Sequence, residues 1–204
     1  MAAEPDDNLP DPSIAELIAA RPHLRLHAMD GLTMEDVPLN QIADAAGTPT
    51  YVYSANALRS RYHALTAALS NAGLDAHTHY AVKANDHLAI LALLGREGAG
   101  ADVVSEGELL RARAAGIPAS RIVYSGVGKT ERELRLALTE DIGQINIESV
   151  EELRMLSAIA ASMGRIARVA PRINPDVDAA VPVVELHAKA VRRFRHWTAR
   201  VVAE

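Results

Sequence analysis

What most restricts this 204-residue chain is a unit repeated from about residue 50 onward: a short apolar run, a turn, then a longer amphipathic stretch. Residues 50–53 read as a strand, Ser54 as an N-cap and 57–72 as a helix that Gly73 stops. The unit returns as strand 79–83 with helix 87–97, strand 101–104 with helix 106–115, strand 121–124 with helix 130–140, and strand 144–147 with helix 149–162. A last strand is expected at 167–173. Such alternation requires parallel strands joined by right-handed crossovers. A doubly wound sheet and a (β/α)8 TIM barrel both satisfy it. Polar residues decide between them: Lys83, Asp102 to Ser105, Ser125-Gly126, Glu148-Ser149 and Arg172 to Asn174 all fall at or just past strand C-termini, where barrels keep their sites. No GxGxxG follows the first strand, which weakens the dinucleotide-binding open sheet. The barrel is therefore the expected fold.

Ahead of the repeat, residues 1–30 are rich in Pro and Asp with one apolar stretch and read as an arm carrying one helix. Residues 37–49 hold a further short helix ended by Gly47 and Pro49. Several function classes are disfavoured by composition. A net charge of -5 offers no basic face for nucleic acid. No apolar run is long enough to span a bilayer, and the start is acidic where a secretory signal is basic, so no membrane role is expected and the cytoplasm is the expected compartment. With no cysteine, disulfides and thiolate chemistry are excluded; the eight histidines show no HExxH spacing, and no metal site is expected.

Chemistry concentrates at Lys83, in Tyr80-Ala81-Val82-Lys83-Ala84-Asn85, at the end of an apolar run that reads as a buried strand. A lysine carried into a barrel mouth costs several kcal/mol unless it is paired, deprotonated or used covalently. Imine formation with an aldehyde cofactor is one such use. Gly126-Val127-Gly128-Lys129-Thr130 looks like the end of a phosphate-binding P-loop, but the glycine that motif needs is replaced by Val123. Gly126 and Gly128 read instead as turn residues, with Thr130 and Glu133 as a capping box.

Five runs occur in order: Tyr80 to Asn85; Gly100-Ala101-Asp102-Val103-Val104-Ser105-Glu106-Gly107-Glu108; Ile122 to Thr130; Asn146-Ile147-Glu148-Ser149; and Arg172-Ile173-Asn174-Pro175-Asp176-Val177. Together they strongly resemble the diaminopimelate decarboxylases, within the alanine-racemase-type barrel family of pyridoxal 5'-phosphate (PLP) enzymes. The resemblance runs from about Met29 to about Ala179. It implies a PLP cofactor bound through Lys83 and a small-molecule amino-acid substrate, meso-diaminopimelate, decarboxylated to L-lysine. Asp102 matches an acidic residue near the cofactor; read without the resemblance, it would cap the next helix. Arg172 matches an arginine beneath the cofactor, against the alternative of an ion pair with Asp102 or Glu148. Asn85, Ser105 and Glu108 match positions that shape the pocket, and Tyr80 reads as core packing.

After Ala179 the resemblance stops. Residues 180–204 carry a charge of +3 while the rest carries -8, and they hold the only Trp and the only Phe, Trp197 and Phe194. This divergent basic tail reads as an altered reading frame, or as a basic amphipathic helix for a partner. The expected organisation is an arm at 1–30, a partial PLP-binding barrel of about five βα units at 31–179, and the tail. By resemblance, an intact member adds the remaining strands, a carboxy-terminal β domain and a homodimer partner. The chain is thus expected to be truncated and inactive, with an exposed strand edge and an uncovered apolar face. The alternatives are a non-enzymatic PLP carrier, a regulatory fragment, and a related decarboxylase or racemase.

Overall fold

The computed structural model describes residues 13–173; the divergent tail, Asn174 and Asp176 lie outside the described residues. Two compact units divide after Ala76.

In the first, α1 (Ile14–Ala19) starts from a capping box in which Ser13 and Glu16 satisfy each other's backbone N–H. An antiparallel sheet follows, β1 (Leu24–His27), β2 (Gly31–Met34) and β3 (Val37–Pro38), in that order. Sequence reading placed no strand here. The segments are two to four residues long, with one buried residue between them and no clean alternation, so periodicity had little to detect. The helix α2 (Leu39–Ala46) ends at Gly47 with φ 79°, as its sequence implied. The expected strand at 50–53 is absent: those residues pair with no neighbour, and a strand exists only by its ladder. The helix α3 (Ala55–Asn71) begins at Ser54 and is anchored by Glu35, which accepts hydrogen bonds from Ser54 Oγ (2.5 Å) and from the backbone (3.0 Å) and side-chain (2.9 Å) amides of Asn56.

The second unit contains the repeat. Its strands are β4 (His79–Ala81), β5 (Gly100–Val103), β6 (Ile122–Tyr124), β7 (Gln144–Ile147) and β8 (Val169–Pro171). Between them run α4 (Leu88–Arg96), α5 (Glu106–Ala114), α6 (Glu131–Thr139) and α7 (Val150–Ser162). All five strands are parallel and lie in the order β4-β5-β6-β7-β8. A doubly wound sheet must reverse its strand order to place helices on both faces; this one never reverses, so same-handed crossovers stack every helix on one face. Burial agrees. Ala101, Val103, Ile122, Tyr124, Ile145 and Ile147 are buried and pack with Leu91, Leu109, Leu134, Leu138, Leu156 and Ile159 of the helices. The alternate positions Asp102, Val123, Gln144 and Asn146 face away and are only half-buried. This is the wall of a barrel with its helical layer in place, and it holds the five strands that the sequence implied.

Each helix carries its own start signal. Ser105, Thr130 and Ser149 accept hydrogen bonds from backbone N–H groups three residues on, and His87 Nδ1 does the same two residues on for α4. At Gly143 a Cβ would collide with the Ser120 carbonyl, so the backbone there approaches too closely for any side chain. No helix among the described residues is long and apolar enough to cross a membrane.

Candidate functional site

Lys83 stands at the C-terminal end of β4, though not on the strand. After Ala81 the backbone winds into a single 3-10 turn over Val82–Ala84, closed by Asn85 N–H donating to the Val82 carbonyl at 3.0 Å. The turn sends Val82 into the helix-side core, fully buried, and leaves Lys83 exposed. The premise of a buried lysine therefore does not hold. The strand ends at Ala81, two residues earlier than the expected 83, and the turn separates the two side chains. Among the described residues Lys83 makes no ion pair, so its amine is available.

Asp102 lies in β5, paired in register with Ala81, and its side chain projects from the face opposite the helices. It does not cap α5; Ser105 does. Asp102 Oδ1 accepts the Ser125 hydroxyl at 2.5 Å, Ser125 Oγ accepts from Asn146 Nδ2 at 2.9 Å, and Asn146 Oδ1 accepts from Gln144 Nε2 at 2.8 Å. The line crosses three neighbouring strands. The uncovered face, expected to be apolar, is mixed: Asp102, Gln144 and Asn146 share it with Ala81, Val123 and Ala170. Arg172, just past β8, is exposed and bonds Glu148 Oε1 at 3.3 Å, while the same oxygen accepts the Gly126 N–H at 3.1 Å. Of the two ion-pair partners considered for Arg172, the structure selects Glu148.

Lys83, Asp102 and Arg172 therefore share one end of one sheet. Asn85, Ser105 and Glu108 use their side chains locally. Asn85 Oδ1 accepts the His87 N–H, Ser105 caps α5, and Glu108 accepts the Val104 N–H. Tyr80 packs against the core, as expected.

Two buried charges escaped the sequence reading. Lys129, 5% exposed, donates to the carbonyls of Gly126 (2.9 Å) and Asn146 (2.7 Å) and to Glu152 (2.5 Å), itself 7% exposed. Its ammonium also lies 5.9 Å from the Tyr124 ring centre. The failed P-loop lysine is thus a strut that ties the β6–α6 loop to β7 and α7. Glu133 does more than cap: it accepts from Thr130, from the Glu106 N–H and from the Tyr124 hydroxyl. Burial by itself would raise its pKa; those donors outweigh burial and hold it at about 2. Burial, reinforced by the bond to Glu133, pushes Tyr124 well above its ordinary value. A hydrophobic spacing signal could have found neither residue.

The first unit holds a mostly apolar groove of about 290 Å³ between α1–β1 and the start of α3, bordered by Arg21, His23, Tyr53 and Arg61; it contains none of the residues above.

Comparison with known proteins bears on this lysine-bearing sheet. Residues 55–191 match the family described as pyridoxal-dependent decarboxylase, pyridoxal binding domain. The chain belongs to that family. Among curated pyridoxal-dependent decarboxylases it is 56% identical over 148 residues to the diaminopimelate decarboxylase of Zymomonas mobilis, covering 72% of this chain and 35% of that protein. Among solved structures, the diaminopimelate decarboxylase from M. jannaschi aligns with TM-score 0.74 at 32% identity, over 79% of this chain and 38% of that one. The Helicobacter pylori diaminopimelate decarboxylase complexed with L-lysine aligns with TM-score 0.66 at 39% identity, over 72% and 36%. The chain spans about a third of the length of the curated relatives it matches.

The family implies PLP, and the residues present fit it. Among the described residues, the exposed primary amine of Lys83 makes no ion pair and suits an aldehyde, and Asp102 Oδ2 takes no hydrogen bond, leaving one acceptor on the face away from the helices.

Proposed function

We propose that this chain forms the lysine-bearing wall of a PLP-dependent carboxy-lyase that acts on meso-2,6-diaminopimelate and yields L-lysine. The observation that carries the reading is the placement of an available Lys83 amine at the same sheet end as Asp102 and Arg172, in a chain 56% identical over 148 residues to a diaminopimelate decarboxylase. PLP, when bound, supplies an electron sink for the electron pair left behind as CO2 departs. The protein's share is placement. Lys83 holds the cofactor through its amine, Asp102 offers a fixed carboxylate to the cofactor, and Arg172, steadied by Glu148, adds a cation at the rim. An α-amino acid is the substrate class, and a second copy of the chain is the proposed partner.

The test is to incubate the chain with PLP, reduce with borohydride and map the pyridoxyl label by mass spectrometry. Label on Lys83, lost in Lys83→Ala with the protein still folded, is the expected result; label spread over surface lysines equally in both proteins overturns the reading. CO2 release from meso-diaminopimelate, assayed separately, reads the activity.

A further inference from the structure

Polar side chains occupy three of the strand positions that face away from the helices. Asp102, Gln144 and Asn146 are weak strand formers, and the core on the other face is complete without them. Their side chains nevertheless form one continuous line through Ser125, over 2.8, 2.9 and 2.5 Å. The line has a direction. Gln144 Nε2 donates to the side-chain oxygen Oδ1 of Asn146, which leaves Asn146 Nδ2 to donate to Ser125 Oγ. Because that oxygen is receiving, the single hydroxyl proton of Ser125 goes to Asp102. Every donor therefore points toward one carboxylate oxygen. Asp102 Oδ1 is fixed, and Oδ2 has no partner among the described residues.

We propose that Gln144, Asn146 and Ser125 are positioning residues that hold Asp102 in one orientation for binding of PLP. The inference rests on the reading of this face as the cofactor site. It adds a set of residues that act only through Asp102, and removing a middle member orphans its neighbours on both sides.

Two measurements test it with the full chain. The first needs no cofactor: the side-chain amide signals of Asn146 are followed by 1H–15N NMR. Asp102→Asn is expected to shift them through Ser125, and in Ser125→Ala the further change Asp102→Asn is expected to leave them unmoved; Asn146 signals indifferent to Asp102→Asn in the wild-type background overturn the relay. The second is PLP affinity from absorbance titration. Ser125→Ala is expected to weaken binding about tenfold, the worth of one hydrogen bond to a charged group. Ser125→Thr, which keeps the hydroxyl, is expected to restore it, and Ser125→Ala is expected to add nothing once Asp102 is Asn. Equal losses in the Ala and Thr variants, or fully additive losses with Asp102→Asn, overturn the positioning role. If the wild-type chain takes up no PLP at all, the proposed cofactor role falls for Lys83 and relay alike, and the NMR result still decides whether the relay exists.

Discussion

Replacing Lys129 by Met isolates the strongest electrostatic commitment in this wall. The ammonium satisfies three acceptors at once: the Gly126 carbonyl, the Asn146 carbonyl and the Glu152 carboxylate. Methionine fills much of the same volume, so the cavity contribution is small and the loss is polar. Glu152 would remain 7% exposed, with the Glu148 N–H at 3.2 Å and the Ser149 hydroxyl near its own backbone as its surroundings, and without a cation. Leaving one member of a buried pair alone costs about 3–5 kcal/mol. At a urea dependence of about 2 kcal/mol per molar, that moves the unfolding midpoint down by about 2 M. The double variant Lys129→Met/Glu152→Leu removes the stranded charge and is expected to recover most of the loss; the shortfall of about 1–2 kcal/mol reflects two carbonyls without donors. Urea unfolding followed by circular dichroism, with slopes compared to confirm that the transition is unchanged, reads both. A single variant that loses less than about 1 kcal/mol, or a double variant no better than the single, would refute the assignment of Lys129 and Glu152 as a buried strut.

Other outcomes follow from the same wall. Glu133 is held at about 2 in the folded chain against the ordinary 4.5, so the stability it contributes is fully present above about pH 4.5 and is lost as pH falls toward 2. Discounted for solvent screening at this half-exposed group, the loss is about 2 kcal/mol, and Tyr124→Phe, which removes one donor, is expected to shrink it; an identical acid dependence in both proteins counts against the network. Gly143→Ala forces a Cβ against the Ser120 carbonyl and is expected to cost more than the roughly 1 kcal/mol that an unstrained glycine replacement changes, measured by thermal unfolding. Leu134→Ala, at a fully buried position of α6 in the core, is expected to cost about 2–5 kcal/mol without changing the pyridoxyl label on Lys83.

From α3 onward the order of helices and strands was legible from local rules, whereas the short β1–β3 sheet before it was not. Helix starts at Ser54 and Thr130 were marked by residues whose side chains cap within three positions, and the strands of the repeat by short apolar runs; the caps Ser105 and Ser149 emerged only from the structure. Boundaries came within a residue or two because capping and helical hydrogen bonds are themselves short-range. The placement of Lys83, Asp102 and Arg172 at one sheet end was also legible, since strand C-termini of parallel units gather on one side. Exposure was not. Whether Lys83 is buried depends on where β4 stops and a 3-10 turn begins, and that is set by the pairing of Ala81 with Asp102 on another strand.

What the linear chain determined is the alternation of strand and helix, hence a parallel α/β wall with polar residues at one rim, because periodicity and capping act over a few residues. Tertiary structure alone decided which charges meet. Lys129 reaches Glu152 across 23 positions, Gly126 reaches Glu148 across 22, Ser125 reaches Asp102 across 23 and Asn146 reaches Ser125 across 21. Each of these bonds exists only because neighbouring strands lie side by side in a particular register, and hydrogen bonds of 2.5 to 3.1 Å tolerate no other.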